Sequence, residues 1–156
     1  MNTNGESGTI SANDYIKGDS SFLFVTPAPE GETLSPSNKK LIQKVLMQSL
    51  SQKGDPLQSF KILASKEGAK GADGQPYVIC DFSYELNTEA GFLIGRRGTV
   101  SMTSVGPNIQ ALVSVTTFQR FKKMGETLSD IANTFRVYKL NSGIFSGAGA
   151  TATASN

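Results

Sequence analysis

Thr127 to Leu140 reads TLSDIANTFRVYKL, the end of an amphipathic helix that runs straight into an alternating segment. Phe121, Met124, Leu128, Ile131 and Phe135 recur at spacings of three and four, which puts one apolar stripe on a helix predicted to end at Asn133. Phe135 and Val137 then alternate, the period of a short closing strand. A helix that hands over directly to a sheet strand needs a core that both elements share, so the stripe is predicted to be that core. Gly125 within it costs ~1 kcal/mol relative to alanine unless a close helix–sheet contact compensates.

Upstream, three strand-like runs lead into this helix. In Tyr77–Leu86, Val78, Cys80, Phe82, Tyr84 and Leu86 fall on one face, and Tyr77 and Ile79 share the other with Asp81, Ser83 and Glu85. A second run spans Phe92 to Ser104, and Gly106-Pro107-Asn108 turns tightly into a third, Ile109–Phe118. Short connections between neighbouring strands predict an antiparallel meander. Nearer the start, Ser21–Thr26 reads as a strand stopped by Pro27 and Pro29. Ser35 before Pro36 predicts a helix start, and Leu41, Ile42, Val45, Leu46 and Leu50 supply its apolar face. Phe60–Ala64 reads as a short strand, followed by a glycine-rich loop, Lys66–Gln75, with an Asp73-Gly74 turn.

The 156 residues suit one α+β domain with a buried core, flanked by a flexible arm over residues 1–13 and a flexible, uncharged tail over residues 141–156. A formal charge of +2, from 15 basic against 13 acidic residues, argues against nucleic acid as a partner. Histidine is absent, which removes the commonest metal ligand and general base and excludes Ser-His and Cys-His nucleophiles. Cys80, the single cysteine, lies in an apolar run and reads as a buried small hydrophobe. No apolar stretch approaches the ~20 residues of a membrane span, and MNTNGESGTISAND shows no secretory signal pattern.

Three clusters are candidate sites. Gly95-Arg96-Arg97-Gly98 lacks the spacing of a phosphate loop, and adjacent arginines on a strand point to opposite faces, so one of the two can join a surface patch. Arg120, Lys122 and Lys123 set positive charge at a helix start, against its dipole, a local conflict that suggests docking to an acidic partner. Asp14, Asp19, Glu30 and Glu32 lack the alternating spacing of a calcium loop. No pair of carboxylates is marked out for acid–base chemistry. The expected site is therefore non-catalytic and free of metal and cofactor: a docking surface of Arg96, Arg97, Arg120, Lys122 and Lys123, with Ile144 and Phe145 as tail anchors.

The ordered series of phrases resembles the PsbP family of thylakoid-lumen proteins. ISANDYIKGDSSFLFVTPAP (10–29) looks like that family's turn and strand with a V-x-P exit, and SPSNKKLIQKVLMQSL (35–50) like its first helix. GADGQPYVICDFSYEL (71–86) is similar to its DG-x-x-Y strand through Asp73, Gly74 and Tyr77. TFQRFKKMGETLSDIANTFRVYKL (117–140) resembles its closing helix and S-F-x-V strand. Two departures stand out. The family's opening strand, G-F-x-x-x-x-P-x-x-W, has no counterpart in a chain without tryptophan, and its metal-binding histidines have none either. An absent first strand leaves an edge that a neighbour's strand would complete.

The resemblance covers about residues 10–140 and implies a PsbP-like domain over 14–140, a central antiparallel sheet flanked by helices on both faces. It also implies a non-catalytic extrinsic subunit on the lumenal surface of a photosystem, photosystem II first, which stabilises the complex or its oxygen-evolving centre. Its partners would be the photosystem core and other lumenal subunits, and its location the chloroplast thylakoid lumen, peripheral to the membrane. Alternatives are a peripheral subunit or assembly factor of photosystem I or II, and a small-molecule binding module using the cleft between the last helix and the meander.

Overall fold

The computed structural model describes residues 10–14, 17–51 and 56–138. Eight elements follow in order: β1 (Ile10–Asp14), β2 (Asp19–Pro27), α1 (Lys39–Leu50), β3 (Leu57–Glu67), β4 (Val78–Asn87), β5 (Leu93–Val105), β6 (Asn108–Thr117) and α2 (Phe118–Thr134). The strands form one six-stranded sheet in the order β1-β2-β6-β5-β4-β3, antiparallel at every pairing. The β4 to β6 stretch is the expected meander, β3 extends it beyond β4, and β2 closes on β6 through pairs such as Phe24–Ala111.

The alternation read from β4 places its residues as expected. Phe82, opposite Gly98, is fully buried, and Val78, Cys80 and Tyr84 share its face. They cluster with Val100, Met102, Ile109, Ala111, Val113, Val115 and Phe24, and Leu41, Ile42, Val45 and Leu46 of α1 cover them. Phe60 and Tyr84 each stack with Phe82, at 5.9 and 6.0 Å between ring centres. Gly98 makes this packing possible. A Cβ there would lie 2.5 Å from the Ser114 carbonyl oxygen, 2.6 Å from Val115 Cγ1 and 2.7 Å from Phe82 Cζ.

The other parity of the strands carries a different surface. Thr99, Ser101, Thr103, Ser114 and Thr116 are buried. Most of their hydroxyls are bonded: Thr99 donates to Asp81 (2.8 Å), Ser21 and Ser114 pair (2.8 Å), and Thr116 donates to Asp19 (2.7 Å). Phe121 of α2 lies over Arg97 of this parity, with the guanidinium carbon 4.0 Å from the ring centre. The α2 stripe is consequently not the main core. Of α2, Leu128 and Ala132 are buried and Phe121, Met124 and Ile131 half-buried, as is Phe135 just beyond its end. The face under α2 divides its buried residues between these hydroxyls and the apolar Tyr77 and Ile79, whereas α1 meets the large apolar cluster of the opposite face.

Four further expectations are corrected. Residues 10–13 are not part of an arm: Ile10–Asp14 pairs with β2, Ile10 opposite Leu23 and Asp14 opposite Asp19. A strand thus precedes β2 without the family's aromatic phrase, because strand pairing is made by backbone groups and an edge strand tolerates a polar sequence. Asn38, not Ser35, caps α1. Its Oδ1 accepts from the Leu41 N–H at 3.2 Å and its Nδ2 donates to the Thr33 carbonyl at 3.1 Å, while the Ser35 and Ser37 hydroxyls pair at 3.0 Å. β3 is longer than the predicted run, with register shifts between Gln58 and Lys61 and between Ile62 and Ala64, and Ser59 at φ 54°.

Finally, residues 135–138 do not join the sheet. They cross above Tyr77, whose phenol oxygen accepts from the Val137 N–H at 2.8 Å and whose ring meets Phe135 edge-on at 6.2 Å. The helix exits over a face of the sheet rather than beside an edge, so a side chain takes the hydrogen bond that a neighbouring strand would have taken.

Candidate functional site

Arg96 and Arg97 point to opposite faces of β5, and each is engaged. Arg96 Nη1 donates to the Gly18 carbonyl oxygen at 2.7 Å, holding the β1–β2 turn against β5. Gly18 has a φ of 74°, and a Cβ there would come within 3.1 Å of that nitrogen. Tyr84 lies on the same side, and burial pushes its phenol up, with the Arg96 charge and hydrogen bond opposing. Arg97 lies beneath Phe121 and has no carboxylate partner among the described residues; its Nε is buried without an acceptor.

Arg120 grips Asp19 in a two-pronged contact, Nε to Oδ1 at 2.9 Å and Nη2 to Oδ2 at 2.7 Å. The Arg120 hydrogen bond holds the Asp19 carboxyl below its ordinary value; partial burial opposes this, and the Thr116 hydroxyl and the Lys17 charge assist. The same contact raises the Arg120 guanidinium. Thr117 caps α2, its hydroxyl accepting from the Arg120 N–H at 3.3 Å. Asp19, one of the acids weighed as a metal ligand, is thus a structural anchor. Among the described residues no cluster of three or more Asp, Glu, Cys or His side chains is arranged to hold a metal ion.

The basic set therefore divides. Arg96 and Arg120 brace the corner where β1 turns into β2, while Arg97 and Lys122 line an open trough with Leu63, Ser83, Phe118 and Phe121. The trough has a volume of about 350 Å³ and lies beside the first turns of α2, over β3, β4 and β5. Lys123 is exposed but does not line it. Ile144 and Phe145 lie outside the described residues.

Sequence reasoning missed the apolar part of this surface. Phe118 is 51% exposed and Leu63 46%. Phe92, Leu93 and Ile94, which enter β5, are exposed as well. Phe118 lies flat on β5 because Gly95 has no side chain: a Cβ there would fall 2.7 Å from the ring. Each of these residues carries an ordinary strand signal, and their exposure follows from how far α2 reaches across the sheet, which no local pattern records. No helix among the described residues is long and apolar enough to cross a membrane.

No family model and no curated protein sequence matches this chain. Among solved structures it is similar to the solution structure of cyanobacterial PsbP (CyanoP) from Synechocystis sp. PCC 6803, with a TM-score of 0.50 and 13% identity over 88% of this chain and 97% of that one. It is also similar to a protein of unknown function, PA94, from Pseudomonas aeruginosa, with a TM-score of 0.46 and 15% identity over 78% of this chain and 74% of that one. At such identities the likeness to the cyanobacterial protein is one of fold: a PsbP-like α+β architecture.

Proposed function

We propose that this protein is a non-catalytic extrinsic subunit that docks on the lumenal surface of a photosystem, photosystem II in the first instance, and stabilises the complex. The observation that carries this reading is the PsbP-like fold, shared along nearly the whole length of the cyanobacterial PsbP. The chemistry of the surface agrees with it. Of the five cations expected to dock, Arg96 and Arg120 are taken up by internal contacts, and what remains is an apolar and basic surface suited to a partner. Its location would be the thylakoid lumen, peripheral to the membrane.

Docking through exposed cations is screened by salt, with a Debye length of about 10 Å at 0.1 M and 3 Å at 1 M. Washing photosynthetic membranes with ~1 M salt should therefore release the protein, and dialysis to low salt should restore it. Retention through the wash would contradict electrostatic docking.

A second reading, a small-molecule module, draws on the trough itself, whose volume falls in the roughly 300–1,000 Å³ range of ligand pockets. Thermal shift against a metabolite panel separates the two, since a ligand bound to the folded state stabilises it by mass action.

A further inference from the structure

We infer that the trough beside α2 is the docking site for one kind of partner, a protein segment carrying an aliphatic or aromatic anchor flanked by carboxylates. The inference rests on the docking reading above and assigns it to a place.

The floor and walls are apolar and open. Leu63 and Phe118 are about half exposed, and Phe121 of the helix lines the same trough. Such groups, gathered at one place and left in contact with water, mark an interaction surface more than scattered single exposures do. Phe118 is held out over Gly95 rather than folded into the sheet.

The charges around that floor carry one predominant sign. The Arg97 guanidinium sits at the trough with no carboxylate partner among the described residues, and Lys122 forms part of the wall. Lys61 is exposed on β3, in register with Ser83 of the lining. The first turn of α2 contains no acidic residue, so the positive end of the helix dipole adds to these cations. Of the acids on the same face of β4, Asp81 accepts from the Thr99 hydroxyl, and Glu85 lies opposite Gly95, one step along the face from the Ser83–Arg97 pair. An anchor in the trough would cover Leu63, Phe118 and Phe121 while its flanking carboxylates meet Arg97, Lys122 and Lys61. Charge complementarity of this kind sets specificity and the rate of encounter.

The test uses the full chain and a short fluorescent peptide with a Leu-Phe anchor between glutamates, with a lysine-flanked peptide as control, followed by anisotropy at low salt. The glutamate peptide should bind saturably and the lysine peptide should not. Lys122→Glu and Arg97→Glu should each weaken binding by about tenfold or more. Gly95→Ala, which pushes against the Phe118 ring, should weaken it without any change of charge. Lys123→Glu, outside the trough, should leave it unchanged. Circular dichroism melts identify any variant that fails to fold, and the exposed Lys122 position keeps the test available if Arg97→Glu does not.

Equal binding by wild type and Lys122→Glu overturns the assignment. So does loss of peptide binding on adding decanoate together with saturable decanoate binding, which makes the trough a small-molecule site, or self-association through Phe118 that excludes the peptide. If the wild-type chain docks on photosynthetic membranes and Lys122→Glu docks equally, the trough assignment falls and the docking function stands. If the peptide binds as described but membranes do not take up the chain, the trough stands and the photosystem reading falls.

Discussion

Arg120, in the first turn of α2, holds Asp19, the first residue of β2, through two hydrogen bonds at 2.9 and 2.7 Å across 101 positions of sequence. Thr116 donates to the same carboxylate at 2.7 Å, and Arg96 fixes the adjacent Gly18 carbonyl at 2.7 Å. These contacts join the helix start, three strands (β2, β5 and β6) and the β1–β2 turn at one corner. Because the corner sets where α2 begins, it also sets where Phe118, Phe121 and Lys122 stand over the sheet.

The Asp19 contact makes stability depend on pH in a known direction. Its folded carboxyl titrates below the ordinary value of 3.8, mainly through the Arg120 hydrogen bond. The stabilisation is therefore complete above the unfolded value and is lost as pH falls through the folded one. Urea midpoints at neutral pH and near pH 3 should differ by less in Asp19→Asn than in the wild type, and Asp19→Asn should be the less stable at neutral pH. An unchanged pH dependence in the variant would show that the carboxylate does no such work.

Gly98→Ala should destabilise the fold by about 1–3 kcal/mol, the usual penalty for overpacking. The added carbon meets the Ser114 carbonyl oxygen, backbone that does not swing aside, as well as Val115 and Phe82. Denaturant midpoints measure this directly, and a neutral result would mean that β5 and β6 are not packed at this spacing.

The two helices should differ in weight. Leu46, fully buried on the apolar face, should lose about 2–5 kcal/mol on truncation to alanine. Ile131, half-buried on the helix that faces the hydroxyl-lined side, should lose clearly less. Equal losses by chemical denaturation would restore the α2 stripe as an equal partner in the core.

Burial pushes the Cys80 thiol up to about 12, with the Asp81 charge adding to the effect. Thiolate is the reactive form, so the folded protein should react with a thiol reagent only as fast as it opens. Rapid labelling of the native chain, with full reaction in denaturant as reference, would show that the thiol is not enclosed.

Elements with a strong local period were legible in the sequence: the meander, the α1 face and the core parity of β4 all follow from alternation among Val78, Cys80, Phe82 and Tyr84 or from the Leu41–Leu46 spacing. What escaped was set by partners distant in sequence. Ile10–Asp14 becomes a strand because β2 offers it backbone groups, and Phe135 and Val137 alternate like a strand yet rest on Tyr77. Five cations were picked out at the candidate site. Their charge was readable, but Asp19 and Gly18, which occupy Arg120 and Arg96, are reachable only through the fold. Leu63 and Phe118 carried only an ordinary strand signal, since exposure of an apolar residue depends on what lies above it.

The proposed docking on a photosystem is tested most directly by the protein's stoichiometry in complexes isolated gently at low salt. Photosystem II should carry the protein in near-stoichiometric amount, release it on a high-salt wash and take it back on dialysis. Absence from both photosystems at low salt, with the protein recovered free in the soluble fraction, would contradict it.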